Sequence, residues 1–137
     1  IWLGHSGFRI EIGDQILLVD PWLAGNPAFP AEHEGAALAG ATAILLTHAH
    51  GDHAGDAVRV GGLTGAPIWA AHELAEYLEG VKGARAQGFA KGGTIGLGQV
   101  RVSMVPASHS SSIDWTGSPA MMRSVGGRYV CASGSGP

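Results

Sequence analysis

Three histidines and an aspartate fall within six residues, in the run Thr47-His48-Ala49-His50-Gly51-Asp52-His53. A lone histidine is usually an ordinary core or surface residue. This density, directly behind the apolar run Ala43-Ile44-Leu45-Leu46, is not. The apolar run reads as a buried strand bounded by turn signals. Neutral imidazole nitrogens and a carboxylate are the donors that a divalent cation such as Zn²⁺ prefers. If the chain leaves the strand at Thr47 and turns through Gly51, His48 and His50 point one way. Asp52 and His53 then fall beyond the turn, at the mouth of the following helix. Two donor pairs facing across a tight loop can hold two ions, which in two-metal sites stand roughly 3.5–4 Å apart.

An ion held by His48 and His50 needs at least one more protein donor. His109 is the best candidate, because it follows a predicted strand and lies in the polar run Ser108-His109-Ser110-Ser111-Ser112. Asp20 ends an apolar strand. It serves either as the carboxylate that receives a ligand histidine's remaining N–H or as a simple turn cap. Asp56 either supports the metal loop or sits in a first helical turn, where negative charge is favoured. His33 and His72 lie in charged, helix-like surroundings and carry no functional assignment.

Around this loop the chain reads as strands with interspersed helices. Phe8-Arg9-Ile10-Glu11-Ile12 alternates apolar and polar residues, the period of a half-buried strand, and Gly13-Asp14 turns it into a second strand over 15–20. Pro21 ends that strand. A short helix is expected over 32–39, a strand over 44–47, and a helix over 54–60 that stops at Gly61-Gly62. A strand over 66–70 and the clearest helix, over 71–80 with Leu74, Tyr77 and Leu78 on one side, follow. Residues 82–93 read as irregular. Strands over 94–97 and 100–105, a loop over 109–115, and a final hairpin of 120–125 with 128–132 across Gly126-Gly127 complete the pattern.

With 137 residues, 45% of them hydrophobic and 14% charged, the chain suits one globular domain. The 23 glycines predict many turns. A net charge of −3 gives no electrostatic case for nucleic acid or an anionic membrane. No apolar run approaches the roughly 20 residues of a membrane span. The single Cys131 excludes an internal disulfide and fits a reducing, cytoplasmic compartment.

The histidine run resembles the His-x-His-x-Asp-His signature of the metallo-β-lactamase fold hydrolases. Three further segments, Trp2-Leu3-Gly4-His5-Ser6-Gly7-Phe8, Asp20-Pro21-Trp22-Leu23-Ala24-Gly25-Asn26-Pro27 and Val105-Pro106-Ala107-Ser108-His109-Ser110-Ser111-Ser112-Ile113, are similar to one branch. That branch is the UPF0173 group of predicted metal-dependent hydrolases, which is related to the ascorbate-6-phosphate lactonases. The resemblance implies an α+β fold, the αββα sandwich, with metal at one edge of its two sheets. It makes His109 the third histidine of the first ion, and gives Asp52 and His53 to the second. Asp52 would also orient the bridging water, which makes it the catalytic candidate. His5 would lie near the metal edge, as a pocket-lining hydrogen-bond donor rather than as a ligand.

The resemblance stops near Val130. The family continues to a Gly-Asp-Thr segment whose Asp bridges the ions, and then to a last histidine. Here Cys131-Ala132-Ser133-Gly134-Ser135-Gly136 follows; no Asp or Glu occurs after Asp114 and no His after His109. The expectation is the N-terminal part only of the sandwich, over 1–132, with a linker-like end over 133–137. The implied activity is that of a hydrolase, in which metal-activated water cleaves an ester, lactone or phosphodiester-type bond of a small molecule. The alternative is a fragment that binds a single ion with little turnover. Zn²⁺ is the first expectation for the metal, one ion or two, with Mn²⁺ and Fe open to the same donors. A half-built sandwich exposes strand faces and open edges, so self-association of copies is also expected.

Overall fold

The computed structural model describes residues 1–114 and 128–130. Its centre is a five-stranded mixed sheet in the order β1 (Phe8–Ile12), β2 (Gln15–Val19), β3 (Ala43–Leu45), β4 (Ile68–Ala71), β5 (Ala86–Phe89). β1 and β2 form the antiparallel hairpin expected from the Gly13-Asp14 turn, and every other pairing in this sheet is parallel. Parallel neighbours need crossovers. These are α1 (Glu34–Leu38), the pair α2 (Gly51–Ala54) and α3 (Ala57–Thr64), and α4 (His72–Gly80).

Register decides what each sheet face buries. Arg9, Leu18, Ile44, Ile68 and Ala86 form one cross-strand row. The four apolar members pack with Leu38, Val60, Leu74 and Leu78 of the helices in a continuous core. At the row's end Arg9 is itself buried, and its guanidinium donates to the carbonyls of Ala37 and Ala39. It thereby satisfies acceptors that the C-terminal turn of α1 cannot pair within the helix. The alternation of β1 is therefore real, but its faces are reversed from the usual reading. Phe8, Ile10 and Ile12 are the exposed side and Arg9 the buried one.

The opposite row runs Phe8, Val19, Leu45, Trp69. The ribbon of β6 (Thr94–Leu97) and β7 (Val100–Ser103) lies beside its far end. There Val19, Leu45, Trp69, Phe89 and Val102 line a cavity of about 280 Å³. A second ribbon pairs β8 (Ser112–Asp114) with β9 (Arg128–Val130).

Three local expectations change. Residues 86–89, read as irregular, form β5 beside β4. The loop expected over 109–115 contains β8. The helix expected to stop at Gly61-Gly62 runs through both glycines to Thr64 and ends at Gly65, whose positive φ of 73° makes it the true cap. A Cβ at Gly61 would make only ordinary contact with Ile68 and one at Gly62 would meet open space, so the glycine pair neither ends α3 nor is required by its packing. The strand expected over 120–125, its hairpin turn and the end over 133–137 lie outside the described residues. Among the described residues no helix is long and apolar enough to cross a membrane.

Candidate metal centre

The histidine run leaves β3 along a path fixed by three strands. Leu46 N–H donates to Trp69 O in β4, and Thr47 N–H donates to the Asp20 carboxylate at the end of β2. The chain then crosses the sheet edge and turns into α2, with His50 extended at its N-cap. In the first turn, the amides of His53 and Ala54 both donate to His50 O. This projects Asp52 and His53 beyond the turn while His48 and His50 stay before it.

His48 Nε2 lies 2.9 Å from His50 Nδ1, and a donor atom of His109 completes a group whose members all lie within 4.8 Å of one another. His5, Asp52 and His53 form a second such group. The two are contiguous, since the rings of His48 and His53 have centroids 4.1 Å apart. The five residues expected to ligate metal thus converge on one edge, and His5 joins them.

The donor set fits a divalent cation. Zn–N and Zn–O bonds of about 2.0–2.2 Å put two donors of a tetrahedral site about 3.3 Å apart. The 2.9 Å between His48 and His50 is already close to that. Burial, reinforced by His53 and His50, lowers the His48 pKa to about 4, against a weaker opposing pull from Asp20. His48 is therefore neutral, the form that ligates, across the physiological range. Burial pushes the Asp52 carboxyl up, but its own backbone amide and the neighbouring His53, His5 and His50 together hold it below its usual value. Asp52 is ionised at neutral pH.

The supports around these donors are specific. Asp20 is buried and accepts from Thr47 N–H and from the Thr47 hydroxyl, 2.6 Å away, while its Oδ2 also lies 2.8 Å from His53 Nδ1. Of its two readings, the carboxylate that orients a ligand histidine matches this geometry, and it caps the turn as well. The Thr47 hydroxyl also reaches His48 Nδ1 at 2.9 Å, so one buried carboxylate orients histidines of both groups, one directly and one through Thr47. Asp20, His48 and His53 also fall within donor distance of one another. The Asp20 oxygens are already taken up by these bonds, so this third group is a support and not a further site.

Asp56 touches no metal-loop histidine. Its carboxylate accepts from the amides of Leu23 and Ala24 and from Arg59, and ties the loop after Pro21 to α3. Two supports went unread in the sequence. One is the Thr47 hydroxyl. The other is Ser111, a buried residue whose hydroxyl accepts from Ala49 N–H at 3.0 Å and pins the His109 loop to the metal loop. The Ser-rich run was visible, but nothing local marks which serine turns inward. His33 is exposed, and exposed His72 lies 3.4 Å from Glu76 on the surface of α4. The rings of Trp22 and His5 meet in a T-shaped contact.

Residues 15–128 match the family model described as the beta-lactamase superfamily domain. The chain belongs to that superfamily. Among relatives, it is 51% identical over 133 residues to a UPF0173 metal-dependent hydrolase of Cereibacter sphaeroides, covering 97% of this chain and 58% of that protein. A UPF0173 metal-dependent hydrolase of Dinoroseobacter shibae is 56% identical over 112 residues, 82% of this chain and 49% of that one. The superfamily fold recurs in Igni18, a metallo hydrolase from Ignicoccus hospitalis. It superposes with a TM-score of 0.67 at 30% identity, over 80% of this chain and 48% of its own. The metallo-beta-lactamase SMB-1 shares the fold, with a TM-score of 0.60 at 23% identity over 78% of this chain and 49% of its own. The chain therefore carries part of the superfamily's α+β domain, and spans about half the length of the curated relatives it matches.

Proposed function

We propose that this chain is the metal-holding part of a hydrolase that uses a divalent cation, Zn²⁺ in the first instance, to cleave an ester, lactone or phosphodiester-type bond in a small molecule. The observation that carries this reading is the convergence of His48, His50 and His109 beside Asp52 and His53 on one sheet edge. The cation supplies a water acidic enough to ionise near neutral pH, and an electrostatic partner for the charge that develops on the substrate oxygen.

The chain's own residues divide the remaining work. His48, His50 and His109 would hold the ion through ring nitrogens. Asp20 fixes the His53 ring directly and the His48 ring through Thr47, which makes the donor geometry stiff before any ion arrives. Asp52 is ionised and partly exposed, so its carboxylate would accept a hydrogen bond from water beside the ion and orient it. A cleft of about 590 Å³ opens next to His50 and Asp52, lined further by Val58, Tyr77, Leu78 and Lys82. That volume suits a small-molecule substrate.

A second reading, a fragment that binds one ion and turns over little, is favoured by the chain's spanning only 58% of a close relative's length. Metal analysis of the purified chain, paired with a screen of ester, lactone and phosphodiester substrates, separates the two. Turnover that is abolished by chelation and restored by Zn²⁺ supports the hydrolase. Bound metal without turnover supports the fragment. Equal metal content in His48→Ala, His50→Ala and the off-site control His72→Ala overturns the metal centre itself.

A further inference from the structure

Asp52 and His53 give a second ion only two protein donors, too few for a closed or catalytic site of the usual kind. The structure brings a third residue to them from the far end of the sequence. His5 Nε2 lies 3.0 Å from Asp52 Oδ2, and its ring centroid lies 5.2 Å from that of His53. Its donor atom and those of Asp52 and His53 all fall within 4.8 Å of one another, as in the His48, His50, His109 group.

The backbone around His5 is closely held. His5 has φ 48°, one of two non-glycine residues with positive φ among the described residues, and the other is Asp20 at the same sheet edge. Such a conformation is uncommon outside glycine and is held by its surroundings. The surroundings here are specific. Leu3 N–H donates to Gly7 O and Gly7 N–H to Gly4 O, which closes a tight turn over residues 3–7. The Trp2 indole donates to His5 O, and the ring of Trp22 stands edge-on against the imidazole.

We propose that His5 is a direct ligand of the second ion, completing with Asp52 and His53 a three-residue subsite built entirely within this chain. The proposal rests on the metal-centre reading above. The 3.0 Å between His5 and Asp52 is the same kind of spacing as the 2.9 Å between His48 and His50, near the separation of two donors on one ion.

Calorimetric titration of the metal-free chain with Zn²⁺ tests this in three proteins: unmodified, His5→Asn and His48→Ala. Asparagine tolerates positive φ, so His5→Asn removes the imidazole without straining the turn. The expected result is two equivalents in the unmodified chain, with the second weakened about 10–100-fold in His5→Asn and the first unchanged. A His5→Asn titration identical to the unmodified chain overturns the proposal. If His48→Ala is also identical, the metal-centre reading fails with it; if His48→Ala loses the first equivalent, only the role of His5 fails. Direct ligation is read separately with Co²⁺ and His5→Cys in a Cys131→Ser background. A thiolate-to-cobalt charge-transfer band that grows with the second equivalent is expected. Absence of the band, or its saturation at the first equivalent, overturns direct ligation of the second ion by residue 5.

Discussion

The carboxylate of Asp20 lies 2.8 Å from Nδ1 of His53, across thirty-three positions of sequence. Asp20 sits at the end of β2 with φ 42°, and His53 lies in α2. The bond leaves the other ring nitrogen of His53 for the group it forms with His5 and Asp52. It links the end of one strand to the loop that follows its parallel neighbour, and it fixes both the ring's tautomer and its direction.

Removing the charge of Asp20 is therefore expected to weaken metal binding without collapsing the fold. Asp20→Asn keeps a residue that tolerates positive φ and keeps one acceptor, but loses the anionic partner of His53 and Thr47. Zn²⁺ affinity should fall about 10–100-fold, as for other residues that orient a ligand. Titration of the metal-free variant checks this. Unchanged affinity would mean that His53 needs no orienting partner.

Two glycines near each other in sequence should respond in opposite directions to alanine. A Cβ at Gly55 would run into the carbonyl of Gly51, the first residue of α2. Gly55→Ala must therefore shift the metal loop, with an expected loss of about 1–3 kcal/mol. Gly62 lies inside α3 with nothing near the position of a new Cβ, so Gly62→Ala should stabilise by about 0.5–1 kcal/mol. Urea unfolding of the two variants reads both effects, and a matching sign would contradict the packing described for α2 and α3.

Asp56 sets an acid limit on stability. Burial pushes its carboxyl up, but hydrogen bonds from Arg59 and from the amides of Ala24 and Leu23 outweigh this and hold it below its usual value. A carboxyl depressed in the folded state contributes stability that is complete above its unfolded pKa, near 3.9, and is lost as pH falls through the lower folded value. Asp56→Asn should thus cost about 2–4 kcal/mol at pH 7, and the gap to the unmodified chain should narrow below about pH 4. Chemical unfolding as a function of pH measures the gap. A difference that stays constant down to pH 2 would show that the carboxylate's charge is not what holds the loop.

What the sequence made legible was local. The donors of the metal loop stand within six residues and the β1–β2 hairpin closes over a two-residue turn, so each carries its own signal. What stayed hidden depends on distant partners. Ala86-Gln87-Gly88-Phe89 shows no strand period, and becomes β5 because β4 offers a parallel edge and because Gly88 leaves room for α4. A Cβ at Gly88 would stand 2.7 Å from the Cα of His72. Apolar alternation revealed β1 but not its orientation, since the buried side is chosen by Arg9 and the α1 carbonyls it satisfies. His5 gave no ligand signal because its partners Asp52 and His53 lie some fifty residues away.

Ser111 supplies the last test, because it separates the donor His109 from what holds that donor in place. His109 is exposed and lies on a loop, where its ring meets those of His48 and His50, whereas His48 is buried. The loop is tied down two residues later, where the buried Ser111 hydroxyl accepts from Ala49 N–H between the first two histidines. Ser111→Ala leaves that buried N–H without its acceptor, at an expected cost of about 1–3 kcal/mol. It also frees the His109 loop from the residues that His109 must face. Affinity for the first equivalent of Zn²⁺ should fall by roughly tenfold, less than for His109→Ala, where the donor itself is gone. Ser111→Thr keeps the hydroxyl and should retain most of the affinity if the added methyl is accommodated. Titrations of the three variants beside the unmodified chain give the order directly. If Ser111→Ala binds the first ion as tightly as the unmodified chain, His109 is held by something other than Ser111, and the link between the two loops has no part in the metal site.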